Sequence, residues 1–362
     1  MRVTSLAVKD FRNLEVVQFE PHPGLNLLIG SNGQGKTSIL ESIYLLANDA
    51  SFRPARDKDL IKIGKSSYSI KANYENNSLE KSIEIDYVLN QRKIIKINGK
   101  KTFSHLDRPK IVMFNPDDLF LVKGPPQNRR LFIDYTLKQV SKEFTELSLR
   151  FDQILKRRNS ILKSEKVSLE LLEAVDTVFT DLASQIILAR LNWIQQLEKE
   201  IISYFIKLGG NQSIRLTYAM SFPIDSGKLN HSLIRQALLD HIKSQKSQET
   251  ARRTSLFGPH RDDINIYLNN LNARLFASQG QQRSIAIALK FAELQTAQTM
   301  HNSYPVFLLD EVVAELDNIN RKKILELLTE ESFQVFLASV DISLFNESSG
   351  KIIKVQDGGL VN

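Results

Sequence analysis

The run Leu27-Leu28-Ile29-Gly30-Ser31-Asn32-Gly33-Gln34-Gly35-Lys36-Thr37-Ser38 constrains this chain more than any other segment. An apolar, strand-like stretch runs straight into G-x-x-x-x-G-K-[ST], the loop that cradles phosphate. Gly30 and Gly35 permit backbone conformations and close approaches that a Cβ would block. The turned backbone over Gly30, Ser31, Asn32, Gly33, Gln34 and Gly35, with the N-terminus of the helix that follows, presents N–H groups to phosphate oxygens. Lys36 adds a mobile positive charge at the β- and γ-phosphates, and the Thr37 hydroxyl can ligate Mg²⁺. At average glycine usage the four-point pattern arises by chance in roughly one chain of this length in a hundred. An idle glycine turn is the plainer reading, but a strand-like run precedes this loop and a helix-like run, Ser38 to Leu46, follows it.

The 362 residues hold one large domain or two modest ones. A formal charge of +7 permits contact with nucleic acid or anionic lipid and proves neither. With no cysteine, disulfides, thiolate metal sites and cysteine nucleophiles are all excluded. His22, His105, His231, His241, His260 and His301 form no H-x-x-x-H pair, so no dedicated zinc site is expected. No apolar run approaches the roughly 18 residues of a membrane span, and Met1-Arg2-Val3-Thr4 opens no signal-peptide core. The expectation is a cytoplasmic protein that does not enter the membrane.

The first 110 residues read as strand-rich: Val3 to Val8, Leu25 to Ile29, Ser82 to Val88, a hairpin turned at Asn98-Gly99, and Ile111 to Phe114. Pro125-Pro126 marks a loop. From about Ile133 to Leu208 the rhythm becomes helical, carried by Phe144, Leu147, Phe151, Ile154 and Ile161, then by Leu172 through Trp193 to Ile201. The polar stretch Lys163 to Lys166 can turn the chain back into a helical hairpin, and there are too few heptads for a long coiled coil. A further helix is expected from Ser232 to Lys246, and mixed strand and helix return from Asp263. This gives a discontinuous head, 1–132 plus 250–362, flanking a helical insertion at 133–249.

Val306-Phe307-Leu308-Leu309-Asp310-Glu311 is an apolar strand ending in two carboxylates. In P-loop ATPases the first holds Mg²⁺, here Asp310 through water, and Glu311 is placed to orient or deprotonate the attacking water. A buried strand capped by surface acids is the alternative, and the P-loop upstream decides against it. Ala277-Ser278-Gln279-Gly280-Gln281-Gln282-Arg283 opens a helix-like run and resembles the signature motif of ABC-type ATPases, with Gln279 where glycine is usual. Ala314-Glu315-Leu316-Asp317 resembles their D-loop, and Ser339 falls where many relatives carry a switch His or Thr. In that family two subunits sandwich two ATP molecules. Ser278, Gly280 and Gln281 would then meet the γ-phosphate bound by a partner copy, and hydrolysis would open the dimer.

Further motifs span the chain: Leu6-Ala7-Val8-Lys9-Asp10-Phe11-Arg12-Asn13-Leu14, Phe114-Asn115-Pro116-Asp117-Asp118-Leu119, Gly124-Pro125-Pro126 with Arg129-Arg130, Phe132-Ile133-Asp134, and Gly258-Pro259-His260-Arg261-Asp262-Asp263. With the P-loop and the Ser-Gln-Gly-Gln-Gln-Arg segment, they resemble the RecF family of bacterial recombinational repair ATPases, relatives of SMC proteins. The resemblance implies an α/β fold: an ABC-type, SMC-head-like P-loop ATPase domain with an inserted, mainly helical second domain. It implies ATP and Mg²⁺ as cofactors, an ATP-dependent homodimer and slow, DNA-stimulated hydrolysis. Gapped duplexes or single-strand/double-strand junctions would be bound, in association with the nucleoid, and RecO and RecR would help load RecA on SSB-coated strands.

Arg12 and Arg53 are candidates for nucleotide phosphates or else solvated charges, and Asn115 is a candidate for the Q-loop position. His260 either contacts the active site or satisfies a turn. Arg129 and Arg130 are candidates for DNA phosphate, more so than Lys156, Arg157 and Arg158, which read as a solvated helix face. No aromatics interleave with basic residues, so sequence-independent backbone binding is expected. Two other classes compete: a transporter's nucleotide-binding subunit, disfavoured by the absent Leu-Ser-Gly-Gly-Gln, and an ATP-binding scaffold without turnover, disfavoured by the intact Asp310 and Glu311.

Overall fold

The computed structural model describes residues 1–102, 107–225, 227, 229–311, 318–330, 332–340 and 350–361. Two compact units result. The first comprises Met1–Asp118, Ile206–Gly210 and Ile287–Asn362, and the second Leu119–Phe205 and Asn211–Ala286.

The first unit is built on two six-stranded sheets. One is antiparallel, its long strands Arg2–Phe11, Ser67–Asn76 and Leu79–Val88 alternating buried and exposed residues as a half-covered sheet must. In the other, Gly350–Gln356, Leu25–Ile29, Val335–Ser339, Val306–Asp310 and Ile111–Phe114 run parallel, and Gly359–Val361 folds back on the edge. Leu25–Ile29, Val335–Ser339, Val306–Asp310 and Ile111–Phe114 are near-continuous apolar runs, the signature of strands covered on both faces. The helix Lys36–Ala47 packs into one core with side chains of both sheets, among them Leu6, Ile70, Leu308 and Phe336. Phe291 of the helix Gln279–His301 stacks edge-on against Phe307, with ring centroids 5.5 Å apart. Among the described residues no helix is long and apolar enough to cross a membrane.

The second unit is mainly helical. Lys142–Lys163 starts at Ser141, whose hydroxyl accepts from Phe144 N at 3.0 Å. The 39-residue helix Leu169–Lys207 returns beside it. Phe151 stacks on Phe179, Arg158 bonds Asp176, and Leu162 clusters with Leu172, so partners run in opposite directions as a hairpin requires. A three-stranded antiparallel sheet, Ile214–Ala219, Asp263–Leu268 and Leu271–Asn272, and the helices His231–Ser244 and Lys246–Arg252 complete the unit.

The unit boundaries fall at 118/119 and 286/287, whereas 132/133 and 249/250 were expected. Buried arginines give the reason. Arg129, 5% exposed, is held by both Asp263 oxygens at 2.8 and 2.9 Å and by the carbonyls of Leu121 and Gly124. Residues around 121–129 and 263 are thereby bound into the helical unit. Pro126, expected in a loop, is the first residue of the helix Pro126–Val140, where its missing N–H has no intrahelical partner to lose. Arg158 is not on a solvated face. It is fully buried and bonds Asp176 at 2.6 Å, Glu249 at 2.6 and 3.1 Å, and Ser255 at 2.7 Å.

Beside that cluster His260 packs between Phe151 and Phe179, and its Nε2 lies 3.2 Å from Ser255 O. It therefore satisfies a local backbone contact. Burial lowers its pKa from 6.5 to about 4. An unfolded chain takes up this proton near 6.5, so the stability from the neutral ring is whole above that pH and drains away toward 4. At about pH 4.5 the loss is expected to be about 2–3 kcal/mol relative to a His260→Gln protein, which cannot titrate there. Urea unfolding of both proteins at neutral and acid pH measures it, and parallel pH profiles would refute it.

Candidate functional site

Because the central strands are parallel, their carboxyl ends share one edge of the sheet. Ile29 pairs with Ser339, Asp310 with Ala338, and Leu309 with Phe114. The residues that follow, the Gly30–Gly35 loop, Glu311 and Asn115, must therefore emerge together, where open α/β sheets bind ligands. A pocket of about 970 Å³ opens there, lined by Gly33, Gly35, Lys36, Thr37, Asp310 and Glu311 among others.

Gly35 has φ +119°, a left-handed conformation that strains any residue with a Cβ, and a Cβ here would crowd Leu14. It precedes the helix Lys36–Ala47, whose first turn receives no side-chain cap and contains no acid. The orphaned N–H groups of that turn are thus left for an anion. Lys36 has its side chain 3% exposed, and its Nζ donates to the carbonyls of Gly30 and Ser31 at 2.7 and 3.0 Å, with Glu311 4.0 Å away. Burial lowers its pKa, opposed by Glu311 and Asp310. Thr37 Oγ1 donates to Asp310 Oδ1 at 2.8 Å, and Arg53 stands 3.9 Å from Asp310 Oδ2. Burial raises the Asp310 pKa, against the pull of the Thr37 hydroxyl and Arg53.

This hydroxyl–carboxylate pair is a hard-oxygen donor set of the kind that holds Mg²⁺ together with phosphate and water. Among the described residues no three acidic or imidazole groups cluster tightly enough to bind a metal unaided. Glu311, with its side chain 46% exposed, adopts φ +56°, a strained backbone for a non-glycine residue.

The structure brings Asn32, Gly33, Gly35, Lys36, Thr37, Asp310 and Glu311 together around the pocket. Arg12 also lines it, but its guanidinium is committed: Nε and Nη2 hold the fully buried Glu41 at 3.0 and 2.7 Å, and Nη1 reaches Asp59 O at 3.1 Å. Arg53, 45% exposed on its side chain, is the more available cation. Asn115 lines the pocket, and its Oδ1 is buried without a hydrogen-bond partner among the described residues. Ser278, Gly280 and Gln281 lie in the second unit. There Ser278 Oγ accepts from Gln281 N at 3.2 Å and Gln281 Oε1 accepts from Ser278 N at 2.8 Å, a reciprocal cap that leaves Ser278 and Gly280 exposed. Ser339 is buried at the end of its strand. Ala314, Glu315, Leu316 and Asp317 lie outside the described residues.

Two expectations need correction. Arg129 is not free for DNA phosphate, because Asp263 holds it, and Arg158 is enclosed by two carboxylates. Arg130 donates to Asp262 O at 2.7 Å, whereas Lys156 and Arg157 are exposed. Sequence reasoning assigned no role to Asn13, which donates to Gly33 O at 2.9 Å and accepts from Ser38 Oγ at 2.7 Å. It also passed over Glu41, although one acid inside Ile39-Leu40-Glu41-Ser42-Ile43 signals a buried charge in want of a partner.

Comparison with known proteins shows the family. The family model described as RecF/RecN/SMC N terminal domain matches residues 2–359. The DNA replication and repair protein RecF of Heliobacterium modesticaldum is 34% identical over 370 residues, 99% of each chain. That of Streptococcus uberis is 34% identical over 94% of each. A solved structure of the recombination mediator protein RecF with ATP in the RecFOR pathway superposes with a TM-score of 0.90 at 30% identity, covering 99% of this chain and 96% of that one. An Smc head bound to the C-winged helix domain of ScpA gives a TM-score of 0.60 at 18% identity over 99% and 96%, a likeness of fold alone.

The Arg12–Glu41 pair has a measurable consequence. Removing Arg12 leaves a buried carboxylate with only the Ser51 hydroxyl among the bonds described, so Arg12→Ala should cost about 3 kcal/mol in urea unfolding without nucleotide. Pairing it with Glu41→Gln should recover part of the loss. A cost near zero would mean that Arg12 acts as an ordinary surface charge.

Proposed function

The chain belongs to the RecF family within the RecF/RecN/SMC group, and from that footing we propose that it is an ATP-dependent DNA-binding recombination mediator. One observation carries the reading: an uncapped helix N-terminus, Lys36, the Thr37–Asp310 pair and Glu311 converge on one sheet edge. In this reading the backbone of Gly30, Ser31, Asn32, Gly33, Gln34 and Gly35 and the Lys36 ammonium bind the phosphates of ATP. Thr37 and Asp310 hold Mg²⁺, Asp310 through water, and the metal's chemistry is to neutralise phosphate charge. Glu311 orients the attacking water and accepts its proton.

Two copies then face each other, with Ser278, Gly280 and Gln281 of one meeting the γ-phosphate held by the other. Because ADP lacks that phosphate, weak, DNA-stimulated hydrolysis opens the dimer and resets it. The ATP-bound dimer grips gapped duplex or a junction through the phosphate backbone. With RecO and RecR it promotes loading of RecA on SSB-coated strands, in the cytoplasm at the nucleoid. The RecFOR-pathway relative with ATP supports this reading.

Binding to a labelled gapped duplex with ATP, ADP or no nucleotide, across a salt series, tests the core of it. Tight, salt-sensitive binding is expected with ATP only. Equal binding in all three states would favour an ATP-binding scaffold that recruits repair partners without turnover. In radiolabelled-ATP assays, Lys36→Ala should abolish nucleotide-driven dimerisation, while Glu311→Gln should bind ATP, slow hydrolysis at least about tenfold and trap the dimer. Normal turnover by Glu311→Gln would remove Glu311 as the base.

A further inference from the structure

Gln34 sits inside the phosphate loop, yet it is absent from the residues lining the pocket. Its side chain turns to the other end of the chain, where Gln34 Oε1 accepts from Asp357 N, and its main-chain carbonyl accepts from Gly358 N at 3.0 Å. Asp357 and Gly358 form the two-residue turn joining Gly350–Gln356 to Gly359–Val361, both with positive φ, +49° and +76°. That is the primed turn that suits a tight hairpin.

The loop is also held by a second two-residue turn, Arg12-Asn13, between Arg2–Phe11 and Leu14–Phe19. Asn13 Nδ2 donates to Gly33 O. The two turns also touch each other: Glu15 N donates to Gly358 O at 3.3 Å, and a Cβ on Gly358 would overlap Asn13 O.

A trans peptide is planar, with its C=O and N–H pointing in opposite directions. Fixing the Gln34 carbonyl toward Gly358 therefore aims the Gly35 N–H of the same peptide the other way, and Gly35 lines the pocket. We infer that the Asp357–Gly358 turn latches the phosphate loop through Gln34, whose side chain thereby positions the loop rather than touching the nucleotide. The inference rests on reading this loop as the ATP site. It assigns to the C-terminal hairpin the task of presetting a donor for phosphate.

Titration calorimetry of the full-length protein with Mg-ATP, alongside thermal melting without nucleotide and steady-state hydrolysis, tests it. Gln34→Ala, which removes the side-chain bond and leaves the main-chain one, is expected to weaken ATP binding about five-fold, the scale of one neutral hydrogen bond, with the loss in KM rather than kcat and no drop in melting temperature. Gln34→Glu keeps an acceptor at the same reach and should restore most of the affinity. Gly358→Ala, which disturbs the turn without touching the loop sequence, should weaken binding like Gln34→Ala. Wild-type affinity in Gln34→Ala, or equal weakening in Gln34→Ala and Gln34→Glu, overturns the latch while leaving the ATP site standing. If the natural sequence and Lys36→Ala bind Mg-ATP equally poorly, the ATP-site reading falls and the latch falls with it.

Discussion

The helix Lys36–Ala47 has ten of its twelve residues buried and therefore no solvent-exposed face on which to slide or tilt. Apolar side chains of both six-stranded sheets close around Ile39, Leu40, Ile43 and Leu46. Its first turn is consequently fixed in space, and the N–H groups there remain without an internal cap. The other parts of the site are positioned relative to it. Thr37 meets Asp310 because its helix and the Val306–Asp310 strand share that core. Glu41 is the one acid the helix buries, and it fixes Arg12, which lines the pocket.

The second unit is organised by a different device, cations enclosed by carboxylates. Arg190 donates to both Asp134 oxygens at 2.8 Å, to Tyr218 Oη at 3.1 Å and to Pro259 O at 2.6 Å. Arg158 and Arg129 have comparable sets of partners. Such pairs add little net stability over apolar packing, but breaking one strands a buried charge, so they fix which helix meets which strand. Most of the Gly258–Asp263 motif is absorbed in this way. Pro259 O serves Arg190, Asp262 accepts from Tyr218 and Ser221, and Asp263 serves Arg129.

The parts of the site that are contiguous in sequence were readable from it. Gly30 to Thr37 form one covalent stretch, and the apolar run ending at Asp310 declares both a strand and the acid at its tip. The helical hairpin was equally plain, because its 3-4 spacing persists through Trp193 and the polar residues after Lys163 interrupt it. Arg158 was misread because a Lys-Arg-Arg triplet looks the same whether the third residue faces water or Glu249, ninety-one residues away. Asn13 with Gly33 and Gln34 with Gly358 were hidden for the same reason, since each bond joins segments whose proximity is decided by strand order. The unit boundaries shifted because composition changes at 133, whereas the buried bonds that define packing begin near 121.

Strand order also sets a timetable for synthesis. Leu25–Ile29 leaves the ribosome early, yet its two neighbours in the sheet are Val335–Ser339 and Gly350–Gln356. For most of translation the P-loop strand therefore has an apolar sequence and no partner, while the second unit, made in between, can already fold. Closing the sheet joins residues more than three hundred positions apart, which is slow because the loop entropy must be overcome before any pairing is gained. The nascent chain is thus unable to complete this sheet edge before Val335–Ser339 and Gly350–Gln356 emerge, and the early strand must be shielded from aggregation until then.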